Sequence, residues 1–155
     1  MERISEIMDR RCMQLDLEAR DKVDAVRELV QLLADAGKID CVSRYVYEVM
    51  EREEMSSTGI GRGIALPHRL VAGVSNLMIA VGRKGKKGVP FDSMDGKPAH
   101  LIFLIIGPQG DNNKYLKVLS TLSLYLNDRD FFEALMRAGC ADEVMRVIHE
   151  RECRE

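Results

Sequence analysis

Apolar positions recur at three- and four-residue steps over residues 22–36, where Val23, Val26, Leu29, Val30 and Leu33 share one face. The pattern predicts a helix with Asp21 as its N-cap and Gly37 as its C′ residue. A second helix is predicted over residues 43–53, with Val42, Val46, Val49 and Met50 as its buried stripe, and residues 55–63 read as a polar, glycine-containing loop. The period then changes. Ile64, Ala65 and Leu66 suggest a short strand, and Pro67, which has no N–H to give a ladder, marks its end. Residues 76–83 read as a buried strand. Residues 99–106 are almost continuously apolar, as suits a central strand covered on both faces, and Gly107-Pro108 is expected to close it. Turns are predicted at residues 84–88 and at Asp95-Gly96.

Helical spacing returns with Tyr115, Leu119, Leu122 and Leu126 on one face. Asp130 is expected to cap a short helix running to Arg137 and closed by Gly139, and Asp142 to cap a last helix carrying Val144, Val147 and Ile148. The order of helices, strands and helices predicts an α/β single-domain sandwich over residues 1–155, with a mixed β-sheet flanked by helices on both faces.

Composition narrows the function. The 23 Lys and Arg against 25 Asp and Glu give a formal charge of −2, and aromatic residues are 5% of the chain. Neither suits a nucleic-acid binder, which needs a basic patch and stacking rings. No apolar run approaches the roughly 20 residues that span a bilayer, and Met1 to Ile4 open no secretory signal, so no membrane insertion and a cytoplasmic location are expected. Cys12, Cys41, Cys140 and Cys153 lie far apart with no C-x-x-C pair, as expected of reduced thiols rather than a zinc site.

The densest chemical signal is Gly59-Ile60-Gly61-Arg62-Gly63 followed by Ile64-Ala65-Leu66-Pro67-His68. Alternating glycines allow close backbone approach, and a histidine just past a strand end is held rigidly while still facing solvent. The glycines alone are weak. They follow a helix and precede a strand, the reverse of a dinucleotide-binding turn, and no Gly-Lys-Ser/Thr follows them. Of the other histidines, His100 reads as a satisfied strand-end residue and His149 as a solvated helix residue, and no metal-ligand spacing links the three. The cluster Arg83-Lys84-Gly85-Lys86-Lys87 reads as a solvated turn, able to meet an acidic partner. Met50, Met78 and Met136 fit core positions.

The run from Arg52-Glu53 through Ser57-Thr58-Gly59-Ile60-Gly61 to Ala65-Leu66-Pro67-His68 resembles the type-2 IIA domains of the bacterial phosphotransferase system, the group of fructose-type, mannitol-type and nitrogen-regulatory proteins. Leu15-x-Leu17 with Asp21-Lys22, Val89-Pro90-Phe91-Asp92 with Asp95-Gly96-Lys97-Pro98, residues 101–108, and Leu116-Lys117-Val118-Leu119-Ser120 extend the similarity over nearly the whole chain.

The resemblance implies a phosphohistidine carrier. His68 would take a phosphoryl group from an HPr-type donor and pass it to a IIB-type acceptor, or hold it as a regulatory signal for a transporter or kinase. Arg52, otherwise a solvated charge at a helix end, would stabilise the phosphoryl oxygens, helped by the Thr58 hydroxyl and by amides about Gly61 and Gly63. The chemistry calls for no metal and no cofactor. Members that transfer phosphate commonly hold a second histidine where this chain has Tyr115, and a phenol with a pKa near 10 supplies no imidazolium charge. That substitution keeps an alternative open, a non-catalytic regulatory module of the same fold. A general anion-binding domain using the glycine-loop amides is a weaker third reading.

Overall fold

A computed structural model describes residues 3–110 and 112–154. A single helical turn, α1 (Ile4–Ile7), leads into strand β1 (Met8–Gln14), followed by helices α2 (Lys22–Asp35) and α3 (Val42–Met55). Short strands β2 (Gly59–Gly61), β3 (Ile64–Ala65) and β4 (His68–Val71) precede the longer β5 (Met78–Arg83) and β6 (Leu101–Pro108). Helices α4 (Asn112–Asn127), α5 (Arg129–Arg137) and α6 (Ala141–Cys153) complete the chain. Among the described residues the strands form one mixed sheet in the order β1–β5–β6–β3–β2, with β4 also on β6. β5 runs antiparallel to β6, whereas β3 and β4 run parallel to it.

Strand β6 explains the architecture. Side chains alternate across a strand, and here both sets are buried. Ile102, Leu104 and Ile106 join a core with Ala25, Leu29 and Leu33 of α2 and Val49 of α3. Leu101, Phe103 and Ile105 join a second core with Leu122 and Tyr125 of α4, Phe131 of α5 and Ile148 of α6. β5 splits in the same way, Met78 and Ala80 to the first core, Ile79 and Val81 to the second. The expected sandwich with helices on both faces is the observed one.

Local chemistry sets the element ends. The Asp21 carboxylate accepts from the Asp24 amide at 2.9 Å, and Gly37 takes φ +76° just past α2. Such a cap is worth about 1 kcal/mol. The Arg83 guanidinium donates to the carbonyls of Leu135, Met136 and Ala138, so a cation from β5 closes the C-terminal end of α5. Two expected caps move. Asp128, not Asp130, caps α5 through the Asp130 amide. α6 starts after Cys140 with no side-chain cap, while Glu143 reaches back to the Gly139 amide at 2.7 Å.

Four further differences have physical causes. β6 runs on through Gly107 and Pro108, because the Pro108 position lies at its end opposite Val71, where a missing N–H is tolerated. β1 was not predicted: Met8, Asp9, Arg10 and Arg11 lack clean alternation, and pairing with β5 along an edge forms the strand. β2 replaces part of the predicted loop as a three-residue hairpin partner of β3. Finally, His68, expected just past a strand end, also opens a strand of its own, β4, three residues after β3 ends, because the backbone rejoins β6 beyond Pro67.

Candidate functional site

β3 and β4 are two pieces of one path along β6. Ala65 pairs with Ile102 and His68 with Ile105, the same residue offset, so the register survives the interruption at Leu66-Pro67. Pro67 cannot donate to the ladder, but its carbonyl still accepts from the Ile105 amide at 2.9 Å. The Leu66 amide turns away and donates to the Thr58 carbonyl at 3.0 Å. This break turns the Leu66 carbonyl onto the imidazole that follows, where His68 Nδ1 lies 2.6 Å from it. A carbonyl can only accept, so Nδ1 carries the proton. In the neutral ring Nε2 then bears the lone pair.

The His68 ring is half-buried in a cleft of about 220 Å³ that it shares with Arg52, Arg69, Leu70, Gln109 and Tyr115. The Tyr115 ring is tilted against it, centroids 5.9 Å apart. Gly107 makes that approach possible: a Cβ there would come within 3.0 Å of Tyr115 Cδ1 and 2.9 Å of Leu77 Cδ2. A glycine inside an apolar strand is a sequence signal for such a close approach.

The two arginines are not equivalent. Arg69 is held between Glu48 at 3.2 Å and Glu51 at 2.6 Å, so its charge is largely compensated. Arg52 donates to the Ser56 carbonyl at 3.0 Å and makes no ion pair among the described residues, which leaves its positive charge for the cleft. Next to it, Glu53 is buried beneath the loop. Its carboxylate accepts from the Thr58 amide at 3.0 and 3.1 Å and from the Thr58 hydroxyl, and lies 3.8 Å from Lys22 Nζ.

Burial pushes the His68 imidazole below its ordinary pKa, and Arg52 pushes it the same way. The bond to Leu66 and the charge of Glu53 oppose them without reversing the sign. Burial raises the Tyr115 phenol to about 12, so it stays protonated at neutral pH and serves only as a neutral donor. An NMR titration of His68 should therefore give a midpoint below 6.5. The unfolded chain binds the extra proton first, so this residue's contribution to stability declines as pH drops through 6.5 and levels off below the folded midpoint. A midpoint above 6.5 overturns this reading of the cleft.

Of the residues singled out from the sequence, His68, Arg52 and Tyr115 line the cleft together, and Thr58, Gly61 and Gly63 are not among its lining residues. The Thr58 hydroxyl is spent on Glu53. Gly61 abuts Asp95, and the Gly63 carbonyl accepts from the amides of His100 and Leu101 at the beginning of β6. His68 pairs four residues further on, at Ile105, roughly 13 Å along the strand. The expected glycine-amide cradle around the His68 ring is thus not formed in this arrangement. Arg69, Leu70 and Gln109 join the cleft without having been foreseen, since only the pairing of β4 with β6 brings them there.

Residues 6–151 match the family described as "Phosphoenolpyruvate-dependent sugar phosphotransferase system, EIIA 2". The chain is 38% identical over 150 residues to the PTS system fructose-specific EIIABC component of Bacillus subtilis, a match covering 97% of this chain and 24% of that protein. It thus spans about a quarter of that relative's length. It is 35% identical over 147 residues to the PTS system fructose-specific EIIA component of Haloferax volcanii, covering 95% of each. The crystal structure of nitrogen regulatory protein IIA-Ntr from Neisseria meningitidis superposes with a TM-score of 0.87 at 32% identity, covering 94% of this chain and 98% of that one.

Proposed function

The chain belongs to the type-2 EIIA family of the phosphoenolpyruvate-dependent sugar phosphotransferase system, and from that premise we propose that it carries a phosphoryl group on His68. The observation that supports this most is the tautomer. With Nδ1–H tied to the Leu66 carbonyl, the Nε2 lone pair is the nucleophile, and it lies in a cleft with one uncompensated guanidinium, Arg52.

The step balances without a metal. Nε2 attacks phosphorus on the phosphohistidine of an HPr-type donor, an N–P bond forms, and the donor's N–P bond breaks with its electron pair returning to that imidazole. The Nδ1 proton stays on His68, shared with Leu66. Arg52 stabilises charge on the peripheral oxygens, and the Tyr115 hydroxyl donates one neutral hydrogen bond. In the outward step the thiolate of a IIB-type cysteine attacks phosphorus and the His68 N–P bond breaks. The name of the Bacillus subtilis relative joins EIIA with B and C components, which supports an acceptor of that kind.

Incubating the chain with phosphoenolpyruvate, enzyme I and HPr should add one acid-labile, phosphate-sized mass that maps to His68. Absence of the adduct with a donor known to be charged overturns the proposal. A second reading, a binding module that no longer transfers, is favoured by Tyr115, which is 6% exposed and cannot supply a cation. Tyr115→His separates the two. If the parent already accepts phosphate, the variant should accept it faster; equal rates remove Tyr115 from the transfer step.

A further inference from the structure

Two sequence motifs find no use at His68, namely the Gly61-Arg62-Gly63 loop and the basic turn that contains Lys86. The fold brings them together at the opposite end of β6. There, Arg62, Lys86, Lys97 and Arg129 surround a cleft of about 630 Å³, with His100 and Phe132 in its wall. The volume lies in the range of small-molecule sites, roughly 300–1,000 Å³. We infer that this cleft binds a small organic phosphate monoester, in a site separate from His68.

Charge gives the first argument. Four cations face two carboxylates, Asp95 and Glu133, a formal +2 on a chain whose total is −2. Both carboxylates are already engaged: Asp95 accepts from the amides of Arg62 at 2.8 Å and Lys97 at 3.0 Å, and Glu133 pairs with Arg129 at 3.2 Å. The ammonium groups of Lys86 and Lys97 make no hydrogen bond or salt bridge among the described residues. A phosphate monoester carries −1.5 to −2 near neutral pH, which matches the excess.

Construction gives the second. Arg62 and Lys86 both hold left-handed backbone, φ +59° and +47°, a conformation that side chains of this kind seldom adopt. Gly63, at φ +85°, lets the loop close on two rings, since a Cβ there would lie 3.2 Å from Phe132 and 3.4 Å from His100. The Arg62 guanidinium is steadied by the Asn127 side chain at 2.5 Å, and Arg129 stacks over Phe132 at 4.4 Å while reaching the Arg62 carbonyl. His100 is held through Nδ1 on the Lys84 carbonyl at 2.8 Å. The two arginines are thus held by their own contacts, and Pro98 and Met136 add an apolar wall for the body of the ester.

Calorimetry on the whole chain at low salt, with ribose 5-phosphate, AMP, inorganic phosphate and ribose, tests the inference. Either ester should bind more tightly than inorganic phosphate, and ribose should not bind; which ester binds better tells a sugar phosphate from a nucleotide. The double variant Lys86→Asn/Lys97→Gln should weaken ester binding by about tenfold or more, whereas His68→Gln should leave it unchanged. Amide shifts on titrating the unaltered chain should centre on Arg62, Lys86 and Lys97, a readout that requires no variant to fold. The inference is overturned if neither ester binds at millimolar concentration, if inorganic phosphate binds as well as the esters, if the double variant binds like the parent, or if the shifts centre on His68 and Tyr115.

Discussion

Exchanging His68 for glutamine is expected to abolish phosphoryl acceptance outright while the fold survives. A carboxamide nitrogen has its lone pair delocalised into the carbonyl and cannot displace a phosphohistidine donor. The side chain keeps a donor for the Leu66 carbonyl, now 2.6 Å from the imidazole, and the site is only half-buried. One neutral hydrogen bond to a backbone carbonyl is worth about 1 kcal/mol, so stability should change by no more than that. Intact mass after incubation with the charged donor reads the first effect, and thermal unfolding reads the second. An adduct of unchanged stoichiometry in the variant would falsify His68 as the acceptor. Mapped to His100, such an adduct would transfer the chemistry to the second cleft.

The largest structural loss is expected from Glu53→Ala. The carboxylate is 1% exposed in its side chain and holds three donors, the Thr58 amide and hydroxyl and, at 3.8 Å, Lys22. Breaking a buried pair from one side costs about 3–5 kcal/mol, because the partners left behind stay desolvated. Here Lys22 retains Asp92 at 3.2 Å, so the orphaned Thr58 amide dominates and the lower end, about 3 kcal/mol, is expected. For a chain of this size that lowers Tm by about 6–12 °C. The loop joining α3 to β2 should loosen with it, and Arg52 sits at that junction, so acceptance at His68 should slow as well. A loss below about 1 kcal/mol in urea or thermal unfolding sinks the argument that Glu53 anchors the loop.

Much of the architecture is legible in the chain itself. Apolar period places α2, α3, β5, β6 and α4 within a few residues, because each of these elements buries a face wide enough to leave its spacing in the chain. β1 and β4 left no such trace. Met8 to Gln14 pairs with a neighbour on an edge, and the His68–Val71 run is too short to show a period. The caps of α5 and α6 went astray because several acids compete near each start, and only the backbone path decides which carboxylate faces an amide.

The chain alone points to His68, a histidine just after a glycine-rich loop and a short apolar run, whereas Arg52 and Tyr115 are marked only by the resemblance to type-2 IIA domains. The tertiary structure alone decided what each can do. Proline at position 67 interrupts a strand and turns one carbonyl onto the imidazole, which selects the tautomer; two glutamates silence Arg69 and leave Arg52 charged. It also separated the glycine loop from the histidine it precedes by only a few residues. Extended backbone advances more than 3 Å per residue, so neighbours in sequence came to lie at opposite ends of one central strand.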